Sequence, residues 1–153
     1  MTQIAAFLVL IALLAIHAAC RGGAPERLTA IAMLVAAVAT SMANMQAALP
    51  FRDVEWLLFW IDGALFAALL AIALTANRFW PLWVAAIQCV ALAAHAARAF
   101  DAAILPLAYW WIIGKLSYPM LFLLAVGTER HHRRRRRGAL DPAWSRTGRW
   151  QPQ

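Results

Sequence analysis

Apolar residues in this chain come in long blocks, and polar residues are confined to short breaks between them. Ile4 to Cys20 is apolar except for His17. As a helix it reaches about 26 Å, the short limit for crossing a bilayer. RGGAPER at 21–27 brings glycines, a proline and two arginines, and predicts a turn. Leu28 to Phe51 carries no charge and predicts a second span. RDVE at 52–55 reads as a polar loop. Trp56 to Asn77 is a third span interrupted by Asp62, and Asn77-Arg78 is a tight connection. Phe79 to Ala97 is a fourth span, with Pro81 at a first-turn position where its missing N–H costs little. Arg98 to Asp101 reads as another short loop. Ala102 to Thr128 is a fifth span interrupted by Lys115, the single lysine of the chain.

The blocks therefore predict an all-α fold, a polytopic membrane helix bundle of five transmembrane helices. Composition points the same way. The chain is 64% hydrophobic with a mean hydropathy of +0.66, whereas ordinary soluble domains are less than half apolar. The net charge of +7 belongs to one segment. Eight of the fourteen basic residues follow residue 128. Residues 1–128 thus read as the bundle and 129–153 as a basic, largely irregular cytoplasmic tail. Five spans put the termini on opposite sides. With the tail inside, Arg21, Arg27, Arg78 and the eight tail arginines face the cytoplasm, and only Arg52 and Arg98 lie outside. That asymmetry predicts N-terminus outside and C-terminus inside. Tryptophans 56, 60, 80, 83, 110 and 111 lie toward span ends, as interfacial aromatics do.

Small residues recur every four positions: Ala32, Ala36, Thr40, Asn44 and Ala48; Gly63, Ala67 and Ala71; Ala85, Cys89, Ala93 and Ala97. Such stripes let helices approach closely in lipid.

Ionisable groups inside spans are costly and so face the bundle with partners. Asp62 is predicted on the outer half of the third span and Lys115 near the midplane of the fifth. The lysine stem leans toward the N-terminus of its helix, which is the outer side. This predicts an Asp62–Lys115 ion pair. Gln88 and His95 share a face seven residues apart on the fourth span, Tyr118 shares a face with Lys115, and Asn44 lies near the outer end of the second. An outer-half polar cluster of Asn44, Asp62, Gln88, His95, Lys115 and Tyr118 is therefore expected. Pro119 removes the N–H that would bond the carbonyl of Lys115, so a kink is expected there.

GTERHHRRRRRGALDPAWSRTGRW at 127–150 reads as a stop-transfer signal held by anionic lipid headgroups, through Arg130, Arg133, Arg134, Arg135, Arg136 and Arg137. Five consecutive arginines also neutralise phosphate in nucleic acids, but no nucleic-acid-binding motif accompanies them, and no nucleic acid is expected. Cys20 and Cys89 show no metal-ligand or disulfide spacing. His17 and His95 fall at different depths, which rules out a shared haem. There is no HExxH motif, phosphate loop or nucleophile–base pattern. No catalytic residue, metal or cofactor is expected, and the chain does not read as an enzyme.

NRFWPLWVAAIQ at 77–88 and SYPMLFLLAVGTERHHRR at 117–134 resemble uncharacterised small multi-span membrane proteins of high-GC bacteria. Thirteen arginines against one lysine fit such a source. The resemblance covers the last two spans and implies a multi-pass inner-membrane location; it implies no activity and no site residues. Two functions remain in view. One is a structural or accessory subunit acting through helix–helix contacts, as a homo-oligomer or with a partner membrane subunit. The other is a small transporter or ligand-binding membrane protein using the cluster around Asp62, His95 and Lys115.

Overall fold

A computed structural model describes residues 2–45, 51–100, 106–138 and 143–144. They form five helices: α1 (Thr2–Arg21), α2 (Ala24–Met45), α3 (Phe51–Thr75), α4 (Trp80–Phe100) and α5 (Pro106–Arg136). Alanine and leucine dominate them, and both favour helix strongly. A helix also satisfies its own backbone polar groups, which an apolar setting requires.

Four helices are long and apolar enough to cross a membrane, over Ile4–Arg21, Ala24–Asn44, Trp56–Thr75 and Trp80–Ala97. The described part of α5 is not among them, so the count differs from the five expected. Lys115 and then Glu129 with the arginine run bracket its apolar middle. Four boundaries also differ. Ala24 to Arg27 lie inside α2, so the turn there is Gly22-Gly23 alone. Residues 52–55 lie inside α3, because acidic residues suit the first turn of a helix. Arg98 lies inside α4, not in a loop. The arginine run is not irregular as far as Arg136, since α5 continues through it. Arginine is a good helix former, and basic residues complement the negative end of the helix dipole. The helix also runs unbroken through Pro119. The side chains of Arg52, Arg98, Trp110 and Trp111 lie outside the described residues, as do Ala48 and Asp101.

Each helix packs against the next in chain order, and α5 closes the ring by returning to α1 and touching α2. All five contribute to one core: Ile11 and Ala18, Ala30 and Met33, Leu69 and Ala73, Val84 and Ala85, Met120, Leu121 and Leu124. The outward faces are apolar as well. On α1, Val9, Leu13 and Ile16 are each more than half exposed. A helix apolar all round suits lipid, not water.

The small-residue stripes pack only in part: Ala85 lies in the core and Ala32, Ala36 and Thr40 are half-buried, while the rest of the described positions turn outward. Ala67, Ala71, Ala93 and Ala97 are exposed, and the space around Gly63 is open. The bundle buries other faces, led by Leu69 and Ala73 on α3 and by Val84, Gln88, Ala91 and His95 on α4. Those faces carry the larger apolar groups and the polar groups that need partners. Close approach occurs instead at Gly127 of α5. A Cβ there would stand 2.7 Å from the Trp80 indole. Gly127→Ala is expected to cost about 1–3 kcal/mol of stability by overpacking. Thermal unfolding in detergent would read this, and Trp80→Leu in the same chain should recover most of the loss.

Candidate functional site

Two polar clusters occupy opposite halves of the bundle. The first joins α3 to α4. The connection between them, residues 76–79, is short, so the two helices run back antiparallel as neighbours. Asp62 lies about as far before that connection as His95 lies after it, which brings them to one level. His95 Nε2 is 2.7 Å from Asp62 Oδ2, and the Gln88 amide donates to Asp62 Oδ1 at 3.0 Å. Gln88 also reaches the Asp62 carbonyl oxygen at 3.3 Å. Gln88 and His95 are buried, while the Asp62 side chain remains 23% exposed. This carboxylate is reachable from outside the core.

Three of the six residues expected in one cluster therefore converge: Asp62, Gln88 and His95. The other three do not join them. Asn44 is exposed on α2. Lys115 is exposed and stands over the Tyr118 ring, 5.6 Å from its centroid. Tyr118 packs edge-on against Phe7 of α1, with centroids 5.8 Å apart. The physical reason lies in the ring order. α4 stands between α3 and α5, so Asp62 turns to the histidine and amide of α4 and not to Lys115. The lysine turns to an aromatic face, which attracts a cation.

The second cluster was not foreseen. Gly23 precedes α2, and its N–H donates to Glu26 Oε2 at 3.0 Å. A glutamate at the third helical position reaching back to the cap is half of a capping box. The same carboxylate forms an ion pair with Arg78 from the α3–α4 connection. Glu26 has no exposed surface, and the Arg78 side chain is 5% exposed. Arg78 Nη2 lies 3.0 Å from Nδ1 of His131, a buried residue of α5. A guanidinium only donates, so Nδ1 accepts here and the ring carries its proton on Nε2. Three separate elements are thus locked at one end of the bundle. Gly23 leaves room for the histidine: a Cβ there would stand 3.2 Å from the imidazole.

The sequence held signals for both clusters. G-x-x-E at the start of an apolar helix marks the cap. A short connection fixes which residues of two antiparallel helices share a level. Arg78 enters the sequence reading only through topology, and nothing local marks a contact with Glu26 or His131 across more than fifty residues.

Beyond His131 the surface is basic. Glu129 pairs with Arg133 at 2.7 Å one turn on, and with Arg21 of α1 at 3.8 Å. The hydrogen bond from Arg133 holds the Glu129 carboxyl below its ordinary value of 4.5. Arg130, Arg133, Arg135, Arg136 and Arg137 are exposed, and Arg134 is half-buried. Past the helix the chain returns to the bundle. Ala143 accepts a hydrogen bond from Asn77 N–H at 3.2 Å, and Trp144 pairs with Ala76. Among the described residues, no three His, Cys, Asp or Glu side chains are grouped to hold a metal ion.

No family model, curated protein or solved structure matches this chain.

Proposed function

We propose that the chain is a five-span protein of a bacterial inner membrane, N-terminus outside and C-terminus in the cytoplasm, serving as a structural or accessory subunit through helix–helix contacts. The fifth span is α5, whose apolar middle continues the ring. The end that holds Arg21, Arg27, Arg78 and the α5 arginines is one end of the bundle, joined by the Glu26–Arg78–His131 contacts. Its charge supports a cytoplasmic placement.

The observation that carries the accessory reading is the pairing of ionisable groups with one another, with Glu26, Arg78 and His95 buried and Asp62 partly so. Glu26 with Arg78 and Asp62 with His95 are spent on holding helices in register, a role buried polar groups fill in other helical assemblies. A second reading, a small transporter or ligand-binding protein, draws on the partial exposure of Asp62.

The exposed stripe Gly63, Ala67 and Ala71 offers a test. The space around a Cβ at Gly63 is open and Ala67 one turn on is exposed, so Ala67→Leu turns its added atoms outward, away from the core. On the accessory reading this variant keeps its unfolding temperature but loses a partner or second copy on native electrophoresis after mild extraction. Unchanged migration, with wild type running as a strict monomer, would sink the reading.

A further inference from the structure

Two adjacent cavities lie along the seam between α1 and the far end of α5. One, an open groove of about 490 Å³, is lined by His17, Ala125, Val126, Glu129, Arg130 and Arg133. The other, of about 310 Å³, lies over the α1–α2 turn and is lined by Arg21, Arg27, His132, Arg135 and Arg136 beside Cys20. The Arg21–Glu129 contact joins them, since Arg21 lines the second and Glu129 the first.

The second cavity gathers four arginines and no carboxylate. The two described carboxylates at this end are already engaged, Glu26 by Arg78 and Glu129 by Arg133 and Arg21. Arg27 is further unfavourably placed, because the first turn of a helix carries the positive end of its dipole. Like charges held together beside a helix N-terminus create a local potential that an anion relieves. The neighbouring groove carries apolar surface from Ala125 and Val126 and lies at the end proposed to meet the cytoplasmic surface of the membrane.

We infer that this paired cavity binds one anionic phospholipid, its phosphate among Arg21, Arg27, Arg135 and Arg136 and an acyl chain along Ala125 and Val126. Charge complementarity selects the headgroup, and the apolar groove selects a lipid over a free anion. The inference rests on the proposed placement of this end at the membrane surface, and reporter fusions at each terminus test that placement separately. It goes beyond diffuse attraction of a basic tail, because it assigns the contact to a built cleft that includes the α1–α2 turn.

The test uses the full chain reconstituted in nanodiscs of phosphatidylglycerol and phosphatidylcholine, with retained lipid counted by native mass spectrometry. Wild type is expected to retain phosphatidylglycerol and not phosphatidylcholine. Arg27→Gln with Arg135→Gln should weaken retention by about 30-fold. Arg134→Gln with Arg137→Gln removes the same charge from residues that line neither cavity and should change retention by less than about threefold. Helical circular dichroism checks that each variant folds, and Arg136→Gln alone, at an exposed position, gives a milder loss in the same direction. Equal losses from both pairs would overturn the cleft while leaving the membrane-surface tail intact. Displacement of the lipid by millimolar inorganic phosphate would show a free-anion site and overturn the lipid.

Discussion

Arg78→Met is expected to lower unfolding stability by about 3–5 kcal/mol, because it strands the Glu26 carboxylate in a site with no exposed surface. The partner that remains, the Gly23 N–H, is a neutral donor and cannot offset a full charge. His131 Nδ1 would lose a donor as well. Glu26→Leu alone should also destabilise, by removing the opposite charge from a buried guanidinium that keeps its contact with His131. The double variant Glu26→Leu with Arg78→Met should recover most of the loss, because apolar groups of similar size replace a buried ion pair at little net cost. A residue of about 1 kcal/mol should persist, from the lost cap on α2. Chemical unfolding in detergent, run as a double-mutant cycle, reads these differences. Purely additive losses would mean that the two side chains are stabilised independently.

Asp62→Leu is the second large effect. It removes the acceptor of the Gln88 amide and the carboxylate paired with His95, two buried side chains. Each such loss costs roughly 1–3 kcal/mol. Replacing all three by apolar groups, Asp62→Leu with Gln88→Leu and His95→Leu, should restore much of the stability, since no buried polar atom is then left behind. The decisive comparison is with Lys115→Met. Coupling between Asp62 and His95 and none between Asp62 and Lys115 is expected, because residues without shared partners add independently. A strong Asp62–Lys115 coupling would restore the ion pair that depth alone suggested.

That pair marks what position along the chain cannot supply. Depth along the helices puts Asp62, Gln88 and His95 in one layer. Depth says nothing about azimuth around a bundle, and Lys115 was placed by depth too. The ring order of the helices decides which faces meet, and α4 came between α3 and α5. The same ambiguity applies to the small-residue stripe of α3. Ala67 and Ala71 have the right spacing for close packing, yet their face turns outward, and Gly127, with no partner glycine four residues away, makes the close approach to Trp80 instead. The arginine run misled differently. Its charge suggested a solvated, irregular segment, while its helix propensity and the Glu129–Arg133 pair carry α5 on to Arg136.

What the sequence by itself determined is the helical class, the succession of apolar segments and the presence of a tight turn within 21–27 and at 77–78. These follow from local quantities: hydropathy over a span, glycine and proline at a break, and the need of a backbone in an apolar setting to bond to itself. What only the tertiary structure decided is which polar groups meet. Glu26, Arg78 and His131 come from a helix cap, a connection and a helix end that share no local motif. They meet because α5 closes the ring against α1 and α2, and a charge covered at that junction is stable only where an opposite charge is delivered to it.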